Sequence, residues 1–172
     1  AAVTGLGAAN SGAVVVQLAP PENGALLDDE IAPTSAIAAV FVVDEVVWFF
    51  GTDGLVGSFV VSADDSTVVS RGSSTVRPAF GTGEDKTVWG LGPTGLITAD
   101  RAGAEPLRPV RDGVTGSAVA LGDIDHDADN DVFVLDAGLL TIFPRTNGGL
   151  EAPLQPINVC DGSDFAVGDF DG

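Results

Sequence analysis

Methionine and tyrosine are absent from this chain of 172 residues, and cysteine, histidine and lysine occur once each, at Cys160, His126 and Lys86. One cysteine makes no intrachain disulfide, and together with one histidine it rules out a Cys/His zinc cluster. The expectation for Cys160 is a free, half-buried thiol. His126 has no second histidine and no nucleophile motif around it, so it reads as a solvated loop residue rather than a catalytic one. Neither a Gly-x-Ser-x-Gly elbow nor a phosphate loop is present. Positive charge is scarce: one Lys and six Arg face 25 acids, for a net charge of −18. Nucleic-acid phosphates need a basic face, so binding to nucleic acid is excluded, and docking to anionic membranes is disfavoured. No apolar run approaches the ~18 residues needed to cross a bilayer, and the longest, Ile37 to Val43, reads as a buried strand. No window holds a 3.6-residue apolar period, which leaves little room for helix.

What the chain does have is glycine, 23 residues of it, ten prolines and 45% hydrophobic content. That is enough apolar material for a core built from many short strands and turns. Val14 to Val16, Val40 to Val43 and Phe59 to Val61 are β-branched or aromatic runs. Hairpin turns are read at Gly51-Thr52-Asp53-Gly54, Gly92-Pro93-Thr94-Gly95 and Asp136-Ala137-Gly138, with Pro20 to Gly24 as a looser first example. The expected fold class is all-β.

Five aspartates crowd into nine residues, Asp123-Ile124-Asp125-His126-Asp127-Ala128-Asp129-Asn130-Asp131. Carboxylates so close repel one another, and a hard cation that takes several oxygen ligands explains the spacing. Ca2+ is the expected ion, with side-chain ligands from Asp123, Asp125, Asp127 and Asp131 and the main-chain oxygen of Asp129. An EF-hand loop counted from Asp123 would need Gly at Ala128 and Glu at Val134, so that reading fails. The flanks, Val119 to Gly122 and Val132 to Leu135, read as strands. A solvated acidic turn without metal is the plainer alternative.

The loop begins to recur. Gly116 to Asp125 matches Gly162 to Asp171 at a constant offset of 46 residues, which places a second, truncated loop at Asp169 and Asp171. Val88 to Leu91 and Val47 to Phe50 occupy the place of Val132 to Leu135 in earlier copies. Ahead of Val88, the segment Phe80 to Lys86 is too short and too poor in carboxylates to hold calcium. Ahead of Val46 only the turn Asp44-Glu45 remains. Internal periods of about 40 to 50 residues point to propellers or solenoids. Trp48 and Trp89 fall at equivalent strand positions, where packing between repeats is expected rather than sugar stacking. Arg101, Arg108, Arg111 and Arg145 lie in or near the connecting segments and are read as balancing local acids.

Val119 to Val132 resembles the FG-GAP/VCBS repeat of integrin α-chain propellers and many secreted bacterial proteins. Phe165-Ala166-Val167-Gly168-Asp169-Phe170-Asp171-Gly172 looks like the start of another copy, and Arg145 to Gly149 falls where such repeats carry an Asn- and Gly-rich turn. His126 and Ala128 depart from the pattern, which has Gly there. The resemblance implies a β-propeller of four-stranded antiparallel blades, often about seven per ring. Blades are expected at about 14–43, 46–83, 87–122 and 132–168, the whole of 1–172 forming part of a larger ring. The start at Ala1 and the stop inside a second loop are read as marks of a longer protein. A β-sandwich or solenoid is the alternative architecture. The resemblance further implies a secreted or cell-surface, calcium-stabilised module that binds a protein or glycan; no catalytic residues are assigned, because the chain offers no cluster of catalytic basic residues. The alternatives are the propeller of a secreted carbohydrate-active enzyme, such as a polysaccharide lyase, and a lectin.

Overall fold

A computed structural model describes residues 36–43, 46–60, 69–81, 85–100, 105–160 and 165–167. The expected strand at Val14 to Val16, the turns at Pro20 to Gly24 and Asp44-Glu45, and the second loop at Asp169 and Asp171 lie outside these residues. Every regular element among the described residues is a β-strand.

The first sheet contains β1 (Ile37–Val43), β2 (Val46–Gly51), β3 (Leu55–Val60) and β4 (Val69–Ser73), antiparallel and in chain order. The second contains β5 (Ala79–Phe80), β6 (Thr87–Leu91), β7 (Gly95–Asp100) and β8 (Arg108–Asp112) in the same order. In the third, β9 (Ala118–Gly122), β10 (Asp131–Asp136) and β11 (Leu139–Phe143) are followed by β14 (Ile157–Asn158). A small hairpin, β12 (Arg145–Thr146) and β13 (Gly149–Leu150), interrupts the path from β11 to β14. The first two sheets also share a register shift at corresponding places, Val56/Gly57 and Leu96/Ile97.

These sheets begin one strand earlier than the blade segments read from the sequence. Hydrogen bonding groups 37–73, 79–112 and 118–158, so the boundaries at 43/46, 83/87 and 122/132 each fall between two paired strands. The acidic loop marked a boundary in the sequence, whereas in space it joins the first two strands of one sheet. Among the described residues the three sheets do not close on themselves.

All three expected hairpin turns form. Between β10 and β11, Ala137 (φ 47°) and Gly138 (φ 79°) are both left-handed, the backbone of a two-residue turn whose twist matches its strands. Alternation along the strands then sends successive side chains to opposite faces. Val46, Trp48 and Val56 of the first sheet pack with Val88 and Ala99 of the second. From the opposite face of the second sheet, Trp89, Leu91 and Leu96 pack with Val119, Val132, Val134 and Phe143 of the third. The middle sheet is thus covered on both faces. Trp48 and Trp89, 0% and 2% exposed, lie inside these two cores, so neither can stack on a sugar. Phe80 adds ring contacts to Phe41 and Trp48 at 4.6 and 5.8 Å between centroids.

Cys160 corrects an expectation: its thiol is free, but exposed rather than half-buried. The stretch from Glu151 to Cys160 runs along the outer edge of the third sheet, where only Ile157–Asn158 pairs as a strand and every side chain stays accessible.

Candidate metal centre

The loop 123–130 leaves β9 at Gly122 and enters β10 at Asp131, two residues that are themselves a cross-strand pair. It therefore returns on itself within one strand spacing, and its polar groups turn inward onto each other. The Asp123 carboxylate accepts the amide N–H groups of Asp127 and Ala128 at 3.2 and 3.0 Å. Asp127 Oδ1 accepts the N–H of Asp129 at 2.9 Å, and Asp131 Oδ2 accepts the N–H of Ile124 at 2.9 Å. His126 (φ 63°) and Ala128 (φ 75°) take up left-handed backbone, the conformation that favours glycine. His126 is exposed.

Of the expected ligands, Asp123, Asp125 and Asp131 are brought together, with one carboxylate oxygen from each lying within 4.8 Å of the others. Asp131 is fully buried, Asp123 is partly buried and Asp125 is exposed. The Asp127 and Asp129 carboxylates lie outside this convergent set and hold the loop and its surroundings; for Asp129 the expected ligand is its main-chain oxygen, which this set of carboxylates does not concern. The donor set is all carboxylate oxygen, which suits a hard cation without selecting Ca2+ among such ions. Partial desolvation, followed by repulsion from Asp127 and Asp131, pushes the Asp125 carboxyl above the usual aspartate range. A bound cation would relieve that repulsion. The residues fit a hard cation.

One part of the site had no obvious signature in the acidic run. The β12–β13 hairpin turns through Asn147 (φ 52°) and Gly148 (φ 74°) and folds against the loop. Gly148 N–H donates to Asp129 Oδ2 at 2.7 Å, and Arg145 N–H donates to Asp131 Oδ1 at 2.8 Å. The Asn-Gly pair announces a tight hairpin, but nothing local says what it clamps. Arg145 itself is 2% exposed, and its Nη1 donates to Asn130 O at 2.8 Å and to Asp85 Oδ2 at 2.6 Å. It does balance an acid, as read from the sequence, although the partner is 60 residues away in the second sheet. Arg111 instead donates to the Glu151 carbonyl at 2.7 Å and covers the Phe143 ring.

Comparison with known protein families and with curated proteins finds no family model and no curated protein that matches the chain.

Proposed function

We propose that this chain is a calcium-stabilised propeller module of a secreted or cell-surface protein, which presents its loops to a protein or glycan ligand. The observation that carries this reading is the convergence of Asp123, Asp125 and Asp131 in a strand-to-strand loop, with Asp131 completely buried. Burying a carboxylate beside two others is costly unless a positive charge answers it. The Arg145 guanidinium is directed to Asn130 O and Asp85. When bound, a divalent cation supplies the missing charge. Asp123 and Asp131 already brace the loop through backbone amides, and Asp125 completes the set from the solvent side. Three four-stranded antiparallel sheets stacked in chain order support the propeller, since radial repetition of such sheets is how that architecture is made. The buried positions of Trp48 and Trp89 remove the two residues best suited to a sugar-stacking lectin site.

A metal that binds the folded state alone stabilises it by mass action. Titration calorimetry should therefore show one Ca2+ bound per acidic loop, and chelation should lower the melting temperature. Mg2+ should restore little of it, because that ion dehydrates reluctantly and demands a stricter octahedron. A melting temperature indifferent to both calcium and chelator would return the loop to a solvated acidic turn.

A further inference from the structure

The hydrogen bonds around Arg145 extend beyond the acidic loop. Asp131, one of the three convergent carboxylates, accepts the Arg145 main-chain N–H, while Asn130 O accepts from the guanidinium of the same residue. That guanidinium reaches the second sheet, forms a buried ion pair with Asp85 and lies 5.3 Å from the Trp89 ring centroid. Asp85 Oδ1 in turn accepts from Thr87 Oγ1 at 2.8 Å, and Thr87 Oγ1 accepts the Trp89 indole N–H at 2.8 Å. Gly81 lies close against Asp85: a Cβ there would stand 2.6 Å from Asp85 O and 2.8 Å from its carboxyl carbon. A continuous chain of polar contacts therefore runs from a candidate metal ligand to the core tryptophan of the neighbouring sheet. β5 and β6 are the first two strands of their sheet, as β9 and β10 are of the third, and the buried Asp85 just ahead of β6 receives an arginine.

Resting on the metal reading above, we propose that Arg145 is a positioning residue that couples the metal loop to the second sheet, making the cation a staple between sheets rather than within one. The argument is geometric. Asn130 O holds Arg145 at Nη1 and Asp131 Oδ1 holds it at the backbone N–H, and both residues belong to the end of the loop that the metal would order. If the loop loosens, the guanidinium loses the hold that points it at Asp85. The carboxylate is then left buried without its charge partner, which the fold resists. Opening around Asp85 to Leu91 thus becomes unfavourable while the metal is bound.

Hydrogen exchange on the whole protein, with and without calcium, tests this. At calcium a hundredfold above its Kd, any segment that must release the metal in order to open exchanges about 100-fold more slowly. That slowing is expected in β9 and β10 and also in β6, Thr87 to Leu91, with β2, Val46 to Gly51, unchanged as the internal reference. Slowing confined to β9 and β10, or spread equally into β2, overturns the coupling. The double variant Arg145→Met/Asp85→Asn removes both charges and retains the main-chain N–H to Asp131. It should still bind calcium in a calorimeter and protect β9 and β10, while the slowing at β6 disappears. Persistence of that slowing in the variant also overturns the proposal. Calcium that gives no binding signal with the parent protein defeats the metal reading itself, a result distinct from calcium binding whose effect stops at the third sheet. The parent comparison alone decides the matter should the double variant fail to fold.

Discussion

At the scale of single residues, the acidic loop holds two opposing demands. Ala128 keeps a left-handed backbone that costs an alanine more than a glycine. Ala128→Gly should stabilise the protein by roughly 1 kcal/mol, after allowing for the greater freedom of glycine in the unfolded chain. Chemical denaturation would measure this, and the gain should appear both with calcium and with chelator. Asp125 shows the other demand. Its carboxyl titrates above the usual range in the fold, so the folded state holds its proton to higher pH than the unfolded state does. In chelator its contribution to stability is therefore lost as pH rises from the ordinary aspartate range through the raised value. Calcium inverts the sign, because it needs the ionised form. Asp125→Asn should then raise the melting temperature at pH 7 in chelator, lower it in calcium and flatten the response to added calcium. A variant less stable than the parent under both conditions would show Asp125 to be a structural prop rather than a ligand.

At the scale of elements, the hairpins carry the sheet order, and their turns are not all optimal. Ala137 is left-handed beside Gly138 in the β10–β11 turn, where asparagine tolerates the same angles with less strain. Ala137→Asn is expected to add roughly 0.5 kcal/mol, seen as a shifted denaturation midpoint at constant slope. Its effect should be independent of calcium, since the turn lies at the far end of β10 from Asp131. Such turns were legible because glycine and its neighbours mark them locally. The phase of the sheets was not, since the strands on either side of the acidic loop pair with each other across it. An insertion between two strands looks like a boundary in one dimension and is a bridge in three.

For the whole molecule, the governing quantity is charge. A net charge of −18 and a pI near 4.1 impose self-repulsion that compactness makes worse. With calcium saturating, raising NaCl from low to moderate concentration should raise the melting temperature, as screening shortens from about 30 Å at 0.01 M to about 8 Å at 0.15 M. A flat response over that range would mean that the acids are already well spaced or locally compensated. Buried pairs such as Arg145 and Asp85 lie below the surface and are screened much less.

The sequence by itself determined the all-β class, the three hairpin turns, the acidic loop between two strands and the packing role of Trp48 and Trp89. Each of these is written in neighbouring residues: β-branched and aromatic runs with no helical period, glycine at tight turns, carboxylates in an alternating run. Tertiary structure decided which aspartates converge, because Asp127 and Asp129 differ from Asp123, Asp125 and Asp131 only in where the closed loop points them. It also decided the exposure of Cys160 and the union of Arg145 with Asp85. A contact between residues 60 positions apart leaves no periodic trace in the chain. It exists because stacking the third sheet on the second brings one buried cation and one buried anion to the same interface.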